Sequence, residues 1–359
     1  ILQAIEQASL VYGIKNNLLL CDFIGAIADI VGPTLGETQY CSIVLPLIMR
    51  KFDAYEDNNM YLFPVMECMV SVIPAVGYVG FSDYSLSTFL RCIRIIESTL
   101  LVNRYVDHIE SNPLKGDTFA IPNKTTNYMF DMSTIDIQIK DVENIPVKDF
   151  AICALDIISS IVAMLKSNFT VLLQSSNPYV SQYLNNTTKT TNNPIPTGEA
   201  LFCNVLVLAI QDSLGEVKQS ALSLVGDISH NCPQILFSLD IVGVCLSSAL
   251  ECLGVSNPLN IPLELMLRDE PMVCNNAIWM LGELFFQIHL FIVNESQSQA
   301  QVQAQVHPYA MYISLETMRD TVLPCLIQVL HHCAKTSSSN YIPVCVKQNI
   351  AVLIGRLAI

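Results

Sequence analysis

Three stretches of the chain place hydrophobic and polar residues in one register: VKQSALSLVGDIS (Val217–Ser229), VCNNAIWMLGELF (Val273–Phe285) and VKQNIAVLIGRLA (Val346–Ala358). Each opens on Val, sets a small or apolar residue four positions on, and reaches Gly nine positions on. A charged residue follows that Gly: Asp227, Glu283 and Arg356. At 3.6 residues per turn, positions 0, +4, +7 and +11 share one stripe, filled by Val217, Ala221, Leu224 and Ile228 in the first copy. The second copy fills it with Val273, Ala277, Met280 and Leu284. This stripe is the predicted packing face, and the recurrence predicts stacked copies of one helical unit rather than a single globular core.

Positions +3, +6 and +10 fall on another side of the same helices: Ser220, Ser223, Asp227; Asn276, Trp279, Glu283; Asn349, Val352, Arg356. Weaker upstream copies fit the frame. Anchored at Leu19 the three positions are Asp22, Gly25 and Asp29; at Tyr61 they are Pro64, Glu67 and Ser71; at Phe150 they are Cys153, Asp156 and Ser160. Six helices thus present Asp22, Asp29, Glu67, Asp156, Asp227 and Glu283, with Arg356 the one basic member of the set. Solvation accounts for any one of these acids alone. A shared register across stacked repeats turns them into a ladder of counter-charges. Trp279 is the only Trp in the chain. Off the packing stripe, its ring is either covered by a neighbouring helix or kept for a partner.

Apolar residues recur at helical period nearly throughout, and alternating strand patterns are scarce, so the chain is predicted to be all-α, built of helix pairs. HEAT-type pairs run to about 40–47 residues, and the anchors Leu19 and Tyr61 lie 42 apart. The predicted layout is helical repeats over 1–110, an acidic, proline-containing linker over 111–147, and further repeats over 148–359 with loops at 177–198 and 294–307. Hydrophobic residues make up 52% of the 359, and the mean hydropathy of +0.44 raises the question of a membrane. The most apolar uncharged run, Cys68–Ser82, falls short of the roughly 20 residues a spanning helix needs, so no membrane association is expected. The chain begins with Ile1 and ends inside a repeat, as an excerpt of a longer solenoid would.

Eighteen basic against 32 acidic residues leave a net charge of −14. That argues against direct nucleic-acid binding and for a basic partner. Thirteen scattered cysteines without a CxxC pair suit a reducing compartment and apolar packing. The one His/Cys cluster, His331-His332-Cys333, points in different directions on a helix and makes a poor metal site. No cofactor is expected. The chain lacks a phosphate-binding Gly loop, HExxH and GxSxG, and Asp22 and Asp29 stand two helical turns apart, about 10 Å. The predicted protein is not an enzyme.

The blocks KNNLLLCDFIGAIADIVG (Lys15–Gly32), LFPVMECMVSV (Leu62–Val72), KDFAICALDIISSI (Lys148–Ile161), VKQSALSLVGDIS, VCNNAIWMLGE and QNIAVLIGRL resemble, in order, successive helices of the transportin (karyopherin-β2) family of the importin-β superfamily. The resemblance is to the C-terminal half of a superhelix of about twenty HEAT repeats. It implies a nuclear import receptor that shuttles between cytoplasm and nucleus. Its concave face would take basic proline-tyrosine nuclear localisation signals, often of RNA-binding proteins. In the full-length protein Ran-GTP would release the cargo, and FG nucleoporins would be partners. By position, Asp22 and Asp29 match acids that receive a signal arginine. Phe63, Glu67, Ile152, Asp156, Asp227, Trp279 and Val352 match the wall that takes the upstream part of the signal. Glu283 joins the candidates from the helical wheel alone. The loops after His108, Ser176 and Asn294 depart from the family. The alternative is a HEAT-repeat scaffold assembling folded proteins.

Overall fold

A computed structural model describes residues 2–111, 147–174, 198–238, 241–254, 266–267, 269–298, 320, 323–324, 326–327, 330–331 and 342–357. Every regular element among them is helical. In chain order these are α1 (Leu2–Val11), α2 (Ile14–Val31), α3 (Thr38–Ala54), α4 (Phe63–Ser111), α5 (Asp149–Leu165), α6 (Phe169–Leu173), α7 (Gly198–Ile210), α8 (Gly215–Asn231), α9 (Gln234–Ser238), α10 (Val242–Cys252), α11 (Pro271–Ser298) and α12 (Val344–Leu357), with a 3-10 turn at Gly32–Gly36 after α2. The fold is an all-α solenoid of helix pairs. It divides into two compact units, Ile1–Ala209 and Ile210–Ile359.

In the first unit α1 packs on α3, α2 on α4, α3 on α4 and α4 on α5. The long α4 is really two arms. Gly77 breaks it with φ +65° and ψ −169°, a conformation essentially reserved for residues without a Cβ. The first arm, 63–76, stands between α2 and α5: Gly25 of α2 lies against the Cα of Cys68, and Ser160 of α5 donates to the carbonyl of Val70 at 3.3 Å. The second arm belongs to the next pair. There Phe89, Phe169 and Phe202 meet at ring-centre distances of 5.5–5.8 Å and are all fully buried. Arg91 closes the end of α3. Its guanidinium donates to the carbonyls of Phe52 and Tyr55 and pairs with Asp57 at 2.8 Å, satisfying carbonyls that a helix C-terminus leaves open.

In the second unit α8 packs on α11, α11 on α12, and α10 on both α8 and α11. The helices anchored by the sequence register therefore stand in two rows, α2–α4–α5 and α8–α11–α12. The predicted packing stripe is buried at Val217, Ala221, Leu224 and Ile228, at Val273, Ala277, Met280 and Leu284, at Phe150, Ala154, Ile157 and Ile161, and at Val346, Ile350 and Leu353.

The frame anchored at Leu19 behaves differently. Leu19, Phe23 and Ile30 are 65%, 50% and 85% exposed, while Leu20, Cys21, Ile24 and Ala28 are buried. The helices that touch α2 meet its other flank, and no described residue covers the stripe.

Two further expectations change. α11 continues to Ser298, so residues 294–298 are helix where a loop was expected. The remainder of that loop, residues 112–146 of the expected linker, 177–197 of the second loop, and His332 and Cys333 lie outside the described residues. By length and composition, Leu18–Gly36, Phe63–Arg104 and Asp149–Leu173 are each long and apolar enough to cross a membrane, contrary to the count made on Cys68–Ser82. Packing accounts for part of their apolarity: Ile24, Ala28, Met66, Met69, Val72, Ala154, Ile157 and Ile161 are buried between helices, whereas Leu19, Phe23 and Ile30 of the first segment are exposed, and Gly77 breaks the longest of the three.

Candidate functional site

In the first row the acids are presented outward. Asp22 and Asp29 are exposed on one face of α2, and Glu67 is exposed on the first arm of α4. Gly25, between the two aspartates, is buried against α4, which brings the α2 carboxylates close to the arm that carries Glu67. The carboxylates act on their neighbours accordingly. Burial and then the charge of Asp22 raise the Glu67 carboxyl above its ordinary value. The buried Cys68 thiol is raised by burial first, with Cys21, Asp22 and Asp29 adding to it. Among the described residues no cation forms an ion pair with Asp22, Asp29 or Glu67.

The same field reaches α5. Cys153 is pushed up to about 12, by burial first and then by Asp156, Glu67 and Asp149. Asp156 and Ile152 are half-buried. Phe63 is half-buried as well, its ring edge-on to Phe150 at 6.0 Å and 84°. Five of the candidates, Asp22, Asp29, Glu67, Asp156 and Phe63, thus gather on three adjacent helices, with Ile152 beside them. Like charges held this close repel one another, and a basic group placed among them relieves that repulsion.

The second row spends its polar groups internally. Glu283 is 6% exposed, contrary to the solvated carboxylate that the wheel implied. One carboxylate oxygen meets Arg356 of α12 at 2.8 Å and the other meets His230 of α8 at 3.1 Å. Arg356 also lies over the Phe286 ring at 5.4 Å. At the other end of these helices, Asn276 donates to the Gln219 carbonyl at 3.0 Å, Asn275 to the Asn276 side chain at 3.1 Å, and Asn349 to the Asn275 side chain at 3.0 Å. Asp227 is half-buried, and its charge adds to the burial that pushes Cys232 up to about 12. Val352 is 48% exposed.

Trp279 is covered on one side by the neighbouring helix α8. The residue is partly exposed, yet the six-membered edge of its indole lies directly over Gly226 of α8. A methyl built on Gly226 would stand 2.5 Å from Cε3, 2.8 Å from Cη2 and closer still to Cζ3. The repeat's glycine at +9 therefore has a structural role that the register displayed without explaining. His230 escaped the sequence reading, because its partner Glu283 is 53 residues away. Neither row holds a metal-ligating group of three or more His, Cys, Asp or Glu side chains among the described residues.

No family model matches the chain. It is similar to Transportin-1 of Homo sapiens, 25% identical over 347 residues that cover 96% of this chain and 27% of that protein. It is also similar to Importin subunit beta-2 of Schizosaccharomyces pombe, 26% identical over 351 residues, covering 97% and 28%. Transportin-1 of Oryza sativa subsp. japonica is 27% identical over 289 residues, covering 80% and 25%. The chain spans about a quarter of the length of the curated relatives it matches.

Proposed function

We propose that this chain, similar to Transportin-1 and Importin subunit beta-2, is a transportin/importin-β family member and the signal-binding part of a nuclear import receptor that moves between cytoplasm and nucleus. The ligand is an extended, basic nuclear localisation signal of the proline-tyrosine type. Its arginines sit against Asp22, Asp29 and Glu67, with Phe63, Ile152 and Asp156 alongside. Asp227, Trp279 and Val352 form the second unit's own contribution, where an upstream apolar or basic segment binds. Release by Ran-GTP and passage past FG nucleoporins are properties of the whole receptor. The protein works by binding rather than catalysis.

The observation that carries this reading is the gathering of Asp22, Asp29 and Glu67 on two touching helices, without an ion pair from any described residue. A cluster of that kind is unfavourable alone and favourable to a cation-bearing chain. The uncovered apolar stripe of α2, Leu19, Phe23 and Ile30, favours a second reading, a scaffold that docks folded proteins through apolar surface.

Salt separates the two. Affinity of a fluorescein-labelled basic proline-tyrosine peptide should fall steeply between low and physiological ionic strength, since exposed charges separated by more than about 8 Å are screened there. Adding Ran-GTP to the full-length receptor should lower it again. Salt-independent binding, or none, would leave the scaffold reading standing.

A further inference from the structure

We propose that Gly226 is a positioning residue for Trp279: the missing side chain at 226 is a slot that seats the indole and fixes which edge of it is offered to a peptide. The inference rests on the peptide-binding reading above, and it adds to that reading the residue that sets the aromatic contact.

The geometry is direct. Gly226 is buried in the middle of α8, where helix propensity disfavours glycine by about 1 kcal/mol relative to alanine, so its presence calls for a packing reason. The reason is the Trp279 ring of the neighbouring α11, whose Cε3, Cζ3 and Cη2 occupy the space a Cβ would need. An indole is a rigid plane. It cannot yield at its tip as a lysine would, so any side chain at 226 must swing the whole ring about χ1 and χ2.

The same device recurs one helix on. Gly282, also nine positions from its anchor, is buried, and a methyl built there would stand 3.2 Å from Nη1 of Arg356 on α12. At Gly355, nine positions from the anchor of α12, nothing lies within 4 Å. Thus two of the three +9 glycines receive a long side chain from the next helix of the row. At Gly226 the guest is an aromatic ring that keeps part of its surface exposed.

A ring held on one face has a restricted set of rotamers, so little conformational freedom remains to be lost when a ligand side chain packs on its open edge. That is the difference between a tryptophan that happens to be at a surface and one prepared for contact.

The sole tryptophan makes the test clean, because fluorescence excited beyond the absorption of the chain's 13 tyrosines reports Trp279 alone. Gly226→Ala is expected to change the emission maximum and to increase acrylamide quenching. It should also weaken, about tenfold, a labelled basic peptide that carries one apolar residue. The same peptide with serine at that residue should bind within about twofold of the parent protein.

The second measurement guards against simple misfolding. In a Trp279→Leu background the alanine at 226 has no ring to displace, so Gly226→Ala should leave the melting temperature near that of Trp279→Leu alone. Unchanged fluorescence in Gly226→Ala, or equal destabilisation by the alanine in both backgrounds, overturns the slot. A displaced ring in a protein whose parent binds neither peptide instead upholds the slot and overturns the peptide-binding reading.

Discussion

The two helix rows are built from one register and use it in opposite ways. In α2–α4–α5 the helices meet through small and apolar groups, Gly25 against Cys68, Ser160 under Val70 and Phe63 edge-on to Phe150, and the acids are turned out. In α8–α11–α12 the helices are fastened by polar side chains at both ends, the asparagine relay at one and His230–Glu283–Arg356 at the other. The first row therefore leaves Asp22, Asp29 and Glu67 exposed without an ion pair from any described residue, and the second has already paired its deepest acid. An acid at position +10 is a ligand group or a staple depending on what the next helix supplies: no described cation pairs with Asp29, and Arg356 pairs with Glu283.

The sharpest way to break this contrast is to remove the staple. Deleting one member of a buried ion pair leaves its partner uncompensated and costs about 3–5 kcal/mol. Glu283 is almost fully buried and Arg356 is 24% exposed at its side chain, so Glu283→Ala should cost about 3 kcal/mol, read by urea denaturation followed through Trp279 fluorescence. Affinity for a basic peptide, measured below the unfolding transition, should hardly change. A stable Glu283→Ala protein with weakened peptide binding would make Glu283 a ligand group after all.

A somewhat smaller effect is expected from the first row. Exposed pairs contribute about 0.2–1 kcal/mol each, so no single reversal there should dominate. Reversing Asp22, Asp29 and Glu67 together should remove about 2–3 kcal/mol of binding while leaving the melting temperature unchanged or slightly higher, because mutual repulsion is relieved. Isothermal titration beside differential scanning calorimetry separates the two quantities. Loss of all binding from Asp22→Lys alone would contradict a distributed site.

The fold was largely legible because a period-3.6 stripe states which residues share a face, and the frames at Phe150, Val217 and Val273 kept those residues buried, as did Val346, Ile350 and Leu353 in the last frame. What the stripe does not state is which neighbour covers it. Leu19, Phe23 and Ile30 satisfy the pattern and lie open because the helices touching α2 meet its other flank. The same limit applies to Glu283. Its charge was visible, whereas its pairing depends on side chains from two other helices, which only the packed row brings together. Gly226 was visible as a repeat position, and its meaning needed the ring of Trp279 above it. Periodicity carries the faces, and the contacts between faces carry the chemistry.

The last contrast concerns pH and involves an acid of the first unit that lies on neither outward face. Glu97, on the second arm of α4, is half-buried, and burial raises its carboxyl to about 7. A carboxyl raised on folding binds its proton more tightly in the folded state than in the unfolded one, whose ordinary value is 4.5. Between those two values the folded state holds the extra proton, so stability falls as pH rises from about 4.5 to about 7, and the loss is complete above that. Each pKa unit corresponds to about 1.4 kcal/mol. Residual solvent access reduces the whole effect to about 2 kcal/mol. Glu97→Gln removes the titrating group and keeps the shape, so it should stabilise the protein by that amount at pH 8 and by nothing at pH 4, seen as converging urea midpoints as the pH is lowered. A constant gain at both pH values would assign the effect of Glu97→Gln to packing instead of charge.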